Sequence, residues 1–157
     1  PLSGVTVDWL YLNGLKSIDR KTAEAISTYK VNAIELSGLE SIDSDTAEML
    51  SSFTGRVLTL NGLKRIDSNT AKELSGFRGI KLYLNGLKSI DSDTAGILAT
   101  YNGHALTLNG MRSIDNDTAR ELANFNGAAL YLNGLKTLGV DTAKDEPGKR
   151  YKKLKTW

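Results

Sequence analysis

The chain repeats one phrase at a constant interval of 24 residues, with no insertion or deletion between copies. It first occurs as Leu12-Asn13-Gly14-Leu15-Lys16-Ser17-Ile18-Asp19, and a pair ending in glycine marks each copy. A fixed period of this length is typical of a solenoid, because one unit cannot bury its apolar side without neighbours. The pairs are Asn13-Gly14, Ser37-Gly38, Asn61-Gly62, Asn85-Gly86, Asn109-Gly110 and Asn133-Gly134.

One copy of the repeat illustrates the predicted secondary structure. The alternation in Val57-Leu58-Thr59-Leu60 predicts a short strand whose leucines point inward while Thr59 points outward. Asn61-Gly62 predicts a turn in which the glycine supplies a positive φ. Asp67 is placed to cap a helix of about two to three turns, whose apolar face ends at Phe77.

The other copies keep the same apolar positions. A small residue in the helix is followed three residues later by Leu or Ile, and an aromatic residue closes each unit. We expect these side chains to form the core, because each recurs at the same place in the repeat. The aromatic residues are Tyr29, Phe53, Phe77, Tyr101 and Phe125.

These motifs resemble the leucine-rich repeat family over residues 9–143. The stretch Ile18–Ala23, Ile-Asp-x-x-Thr-Ala, is similar to the variant repeats of bacterial surface proteins. The resemblance implies an α/β, right-handed leucine-rich-repeat solenoid, with parallel strands on the concave face and short helices on the convex face. Since Leu15 and Leu63 stand where the common formula has a buried Asn or Cys, we expect an apolar ladder and no asparagine ladder. A right-handed β-helix is the alternative and needs strands at the predicted helices.

The ends depart from the pattern. Residues 1–8 are expected to be the remnant of a preceding repeat, residues 9–143 six 24-residue repeats, and residues 144–157 a basic cap or tail. The last repeat is degenerate, because Gly139 replaces the capping Asp and Glu146 replaces Leu. Tyr151, Leu154 and Trp157 are spaced to fold back as a cap, and a mobile tail is the alternative.

Composition narrows the possible partners. The chain has no cysteine, so disulfides are excluded. No apolar run approaches the ~20 residues of a membrane span, and none is expected. The net charge is +2, and because the tail is strongly basic the repeats are slightly acidic, which argues against nucleic acid. An anionic partner of the tail stays open.

The concave face is the candidate binding surface that the resemblance implies. Trp and Tyr offer large amphipathic contact areas and are enriched at binding hot spots, although Tyr and Thr are also good strand formers. The candidate residues are Trp9, Tyr11, Glu35, Thr59, Lys81, Tyr83, Thr107 and Tyr131.

Other polar patterns have simpler explanations. Pairs such as Asp43/Asp45 recur and suggest Ca²⁺, but a helix cap explains them better. We therefore predict no metal and no cofactor. His104 has no apparent catalytic partner, so we expect no enzyme. The basic ladder after the turn, from Lys16 to Lys136 with Glu40 as its exception, predicts a solvated flank with an anionic partner as the alternative.

The sequence favours a binding scaffold for a protein or cell-surface ligand, on a bacterial surface or secreted. One alternative is a structural spacer in a longer protein, which the uniform period suggests. Another is a glycan-binding module that uses Tyr11, Tyr83 and Tyr131 for stacking.

Overall fold

The computed structural model describes residues 8–138, in which short strands alternate with short helices. Six strands form one sheet, and two further strands form a small second sheet. The elements are β1 (Trp9–Tyr11), α1 (Arg20–Ser27), β2 (Ala33–Glu35), α2 (Ser44–Ser51), β3 (Val57–Thr59), α3 (Ser68–Ser75), β4 (Lys81–Tyr83), α4 (Ser92–Ala99), β5 (Ala105–Thr107), β6 (Ser113–Ile114), α5 (Asn116–Leu122), β7 (Ala129–Tyr131) and β8 (Thr137–Leu138).

The main sheet is parallel and follows the order of the chain, β1-β2-β3-β4-β5-β7. Each residue is in register with the residue 24 positions later, as Leu58 is with Leu82. We number the units one to six by these strands. The chain is thus an α/β structure in which every sequence repeat adds one strand. The pairing of β6 with β8 was not predicted.

Aspartate caps all five described helices, as predicted. The Asp67 side chain accepts a hydrogen bond from the backbone N–H of Thr70 at 2.7 Å, and the caps at Asp19, Asp43, Asp91 and Asp115 repeat this geometry. Such a cap satisfies a backbone donor that the first helical turn leaves free. Since these segments are helical, the β-helix alternative is wrong for the described residues.

The core lies between the sheet and the helices. The middle residues of the inner strands, such as Leu58 and Leu82, are fully buried against the helical Ala71 and Leu74. The predicted apolar ladder is confirmed, because Leu39, Leu63, Leu87 and Met111 are also inaccessible to solvent. Each unit therefore covers the core of the next.

The prediction of no asparagine ladder is wrong. The Asn85 side-chain oxygen accepts from the backbone N–H of Asn109 at 2.9 Å, and Asn61 and Asn109 bind the following turn in the same way. The Asn13 side-chain oxygen likewise accepts from the backbone N–H of Ser37. Ser37 replaces the asparagine in the second unit, and its hydroxyl donates to Glu35. The ladder uses the asparagine of the Asn-Gly pair, two residues before the apolar ladder.

The turn glycines from Gly38 onward are required by close packing, whereas nothing lies within 4 Å of a Cβ built at Gly14. Within the described chain none has a φ in the left-handed region, so the predicted positive φ is wrong. A Cβ built at Gly62 would collide with the backbone oxygens of Ser37 and Leu39 in the preceding turn. Only a residue without Cβ lets successive turns lie this close, because the obstacle is rigid backbone.

Four of the five predicted core aromatics form a stack. Phe53, Phe77, Tyr101 and Phe125 lie with ring centroids 6.2 to 6.4 Å apart, whereas Tyr29 is 52% exposed. Each stacked ring lies against a glycine two residues later, where a Cβ would strike the ring. Tyr29 is followed by Val31 at that position. Since a Cβ at that position strikes an inward ring in the other units, Val31 is incompatible with the same placement of the Tyr29 ring, which accounts for its exposure.

Two sequence-based assignments involve residues outside the described range. The preceding-repeat remnant, except for Asp8, and the cap or tail at 144–157 lie there, together with the end of the degenerate sixth repeat. Between residues 8 and 138 no helix is long and apolar enough to cross a membrane.

Candidate ligand-binding face of the sheet

The first and third residues of each main-sheet strand point away from the helices and form the outer sheet face. Parallel register places them in two rows across the strands. The first row is Trp9, Ala33, Val57, Lys81, Ala105 and Ala129, and the second is Tyr11, Glu35, Thr59, Tyr83, Thr107 and Tyr131.

All eight predicted site residues lie on this face, but their accessibility differs. Tyr11 is 62% exposed, while Thr59 and Thr107 retain only 6% and 3%. Each threonine lies in register between larger neighbours, and Thr107 is flanked by Tyr83 and Tyr131. The threonines therefore form the floor of the face, and the aromatic and charged residues provide its accessible surface.

The Thr107 hydroxyl is buried and has no hydrogen-bond partner among the described residues. An unsatisfied buried hydroxyl is energetically unfavourable. The Thr118 hydroxyl in helix α5 is unpaired among the described residues in the same way, so this feature is not specific to the face.

An aromatic pair stands at the β1 end. The rings of Trp9 and Tyr11 stack with centroids 5.8 Å apart and planes inclined by 12°. Both side chains stay substantially exposed. Two consecutive same-face positions of one strand thus provide a rigid aromatic surface, since stacking restricts both rings.

Glu35 is held in place by its neighbours. Its Oε1 accepts from Asn13 Nδ2 at 3.0 Å and from Ser37 Oγ at 3.3 Å. Asn13 also accepts from the Ser37 backbone, so the three residues form a connected network. This network fixes the position of a carboxylate on the outer sheet face.

Basic residues surround β4 at the amino edge of the sheet. Lys81 is exposed on the face, and its backbone N–H donates to the Arg56 carbonyl at 3.0 Å. Arg78 and His104 are also exposed near this edge. The sequence analysis did not identify Arg56 and Arg78. They could have been noticed, because most other units have no basic residue at the positions that these two arginines occupy.

The Asp-x-Asp pairs serve the helices. The side-chain hydroxyl and backbone N–H of Thr46 lower the pKa of Asp43, which fits an ionised cap. Asp117 pairs with Arg120 at 2.9 Å. Within residues 8–138 no group of three or more His, Cys, Asp or Glu is arranged to hold a metal ion.

Comparison with known proteins adds no family assignment: no protein-family model matches the chain, and no curated protein matches it either.

Proposed function

We propose that this chain is a leucine-rich-repeat-type binding scaffold, a right-handed solenoid with the sheet on its concave face and the helices on its convex face. In this proposal the outer sheet face contacts a protein or cell-surface ligand, and the chain has no catalytic role. The observation that carries the proposal is the uncovered outer sheet face with its exposed aromatic residues. Trp9, Tyr11 and Tyr131 are 43%, 62% and 40% exposed, and they offer large amphipathic contact areas on one face.

The helices support this assignment by their position. They share a core with the middle residues of the strands, so one side of the sheet is filled and the other is open to a ligand. Tyr83 and Tyr131 stand two strands apart, which corresponds to ~10 Å, on either side of the small Thr107. The two rings provide contact area of the kind that is enriched at binding hot spots.

The test compares capture from a biotinylated cell-surface protein extract by the chain and two variants. The variant Tyr83→Ala/Tyr131→Ala removes these two tyrosine rings from the face, and we expect it not to capture the proteins that the wild type captures. Tyr29→Ala is the matched control, because Tyr29 is also exposed but lies off the face. If the double variant captures the same proteins as the wild type, the outer sheet face is not the binding surface and a spacer role is favoured.

Glycan binding is a second candidate that the Trp9–Tyr11 stack favours, because sugar rings pack against exposed aromatic surfaces. A glycan array probed with the wild type and Trp9→Ala tests it. Signals that disappear in the variant would support the candidate, and an array without signals would exclude it for the glycans displayed.

A further inference from the structure

The two sides of the sheet carry opposite charge from the third unit onward. Every carboxylate between residues 54 and 138 belongs to a helix or caps one, from Asp67 to Glu121. The outer sheet face contains none in this range, and the carboxylates nearest to the carboxyl edge in the sequence are the helix caps, three residues after the basic residues of that edge. Most of the basic residues lie on the face or at the two edges. Residues 54–138 have ten Lys and Arg against seven Asp and Glu, and the net charge of the repeats stays small because residues 8–53 have four against eight.

One group of cations lies at the amino edge. Arg56, Arg78 and Lys81 are exposed, and the carbonyl of Arg56 accepts from the backbone N–H of Ile80 at 2.7 Å and of Lys81 at 3.0 Å. The three residues therefore belong to one small region. Within residues 8–138 the ion pairs are Arg20–Glu48 and Arg120–Asp117, so none of the three cations is neutralised by a described carboxylate.

A second group forms a row at the carboxyl edge. Lys64, Lys88, Arg112 and Lys136 occupy the same position in consecutive units, and all four are exposed. They follow the turn after each main-sheet strand, so the parallel register of the units brings the four like charges into one row. The second unit has Glu40 at this position, so the fold itself does not require a cation there. An exposed row of like charges is electrostatically complementary to an anionic partner.

The first two units carry charges of both signs, because Lys16 occupies the position of the basic row and Lys30 that of Arg78. Asp8, Glu35 and Glu40 lie on the face or its edges, where the fixed Glu35 carboxylate adjoins Tyr11 in register. The stacked aromatic pair of the face thus lies beside a fixed carboxylate. A single-stranded nucleic acid needs cations and stacking rings in the same groove. The face of units three to six carries only the separate rings of Tyr83 and Tyr131, two strands apart, so it offers no continuous stacking track and favours an acidic polypeptide over a nucleic acid.

We infer that units three to six bind an acidic segment of a protein partner, which lies across the strands between the two basic edges. This inference rests on the proposed function, because it names the chemistry that the outer sheet face recognises. Four strands cover ~14 Å, which matches an extended peptide of about four to five residues. The neutral floor around Tyr83 and Thr107 lets its backbone lie on the face while its carboxylates reach the edges.

The test measures binding of a fluorescently labelled octaglutamate peptide by anisotropy at about 50 mM salt, where surface charges are weakly screened. Lys88→Glu/Arg112→Glu reverses two charges of the row, and Glu40 shows that the position accepts an acid. Lys72→Glu/Arg120→Glu makes the same change of net charge on helices α3 and α5. Circular dichroism of both variants serves as the control for folding.

We expect the edge variant to bind the peptide about tenfold or more weakly, and the helix variant to change less than about threefold. Equal losses in both variants would overturn the inference, because they would report net charge alone. Failure of the wild type to bind the peptide would overturn it too. The inference would also be overturned if the wild type bound an oligouridine more tightly than the peptide and the edge variant lost that binding, because this would identify a nucleic-acid surface.

The tyrosine variant separates this inference from the proposed function. If Tyr83→Ala/Tyr131→Ala abolishes capture from the extract while Lys88→Glu/Arg112→Glu leaves it intact, the face binds a partner that is not acidic. The proposed function then stands and the further inference fails.

Discussion

Replacing Gly79 by alanine is expected to expel Phe77 from the aromatic stack. A Cβ at Gly79 would lie on the Phe77 ring, 2.5 Å from Cε1, and 2.8 Å from the carbonyl oxygen of Gly55. The backbone oxygen cannot retreat without moving the neighbouring unit, so the ring must leave. Tyr29 shows the outcome within the same chain, because it precedes Val31 and stays exposed.

The cost follows from what Phe77 contacts. Its ring is 1% exposed and stacks on Phe53 and Tyr101 at 6.2 and 6.3 Å. Removing a buried Phe from a core costs about 3 to 5 kcal/mol, including the void that remains. We expect Gly79→Ala to lower the free energy of unfolding by about this amount, a large fraction of the ~5 to 15 kcal/mol of a typical domain.

Urea denaturation followed by circular dichroism measures the effect, with Gly96→Ala as the matched control. Gly96 lies inside α4, and its built Cβ meets only the side chain of Glu121, at 3.0 Å, which can move aside. That variant should gain about 0.5 to 1 kcal/mol from helix propensity.

A double-mutant cycle with Phe77→Ala tests the mechanism directly. Once the ring is absent, Gly79→Ala should cost much less, since only the contact with the Gly55 oxygen remains. An equal cost in both backgrounds would refute the account in which the glycine makes room for the ring.

Three further changes address hydrogen bonds. Asn85→Ala removes the acceptor of the Asn109 N–H and should lower the free energy of unfolding in urea by about 1 to 3 kcal/mol. The control Asn102→Ala, at an exposed position, should lower it by no more than about 0.5 kcal/mol, and equal effects would contradict a structural ladder. Thr107→Val deletes a buried hydroxyl without a described partner and should raise the unfolding free energy by about 1 kcal/mol, whereas a loss would show that the hydroxyl is satisfied. The hydroxyl and N–H of Thr94 lower the pKa of Asp91 below 3.8, so the cap stabilises the fold above that pH and its contribution fades as pH falls through the native pKa. Asp91→Ala should cost about 1 kcal/mol at pH 7 and progressively less in acid, and a cost independent of pH would rule out the ionised cap.

Local patterns were sufficient to predict the elements. The aspartate before each helix and the alternation before each turn act within a few residues, and the structure confirms both, as at Asp67 and Leu58. The apolar ladder at Leu63 and Leu87 was also predictable, because a recurring apolar position in a repeat belongs to a shared core.

Predictions failed where one unit meets the next. Asn85 bonds to the turn 24 residues later, and Gly62 is required by carbonyl oxygens of the preceding turn. Neither partner is near in the sequence, so a local analysis assigned both residues to the turn itself. Thr59 was expected to be accessible because it points outward, yet its neighbours in register bury it.

The sequence alone determined the unit: its length, its strand and helix, its cap and its inward side chains, because these depend on contacts within a few residues and on a strict period. The tertiary structure decided what lies between units, since stacking brings residue i against residue i + 24 and sets how close their backbones come. This short distance requires a glycine at position 79, next to the buried Phe77 ring, whereas Tyr29, which is followed by Val31 at the equivalent position, stays exposed. It also gathers basic side chains from separate repeats along the edges of one face.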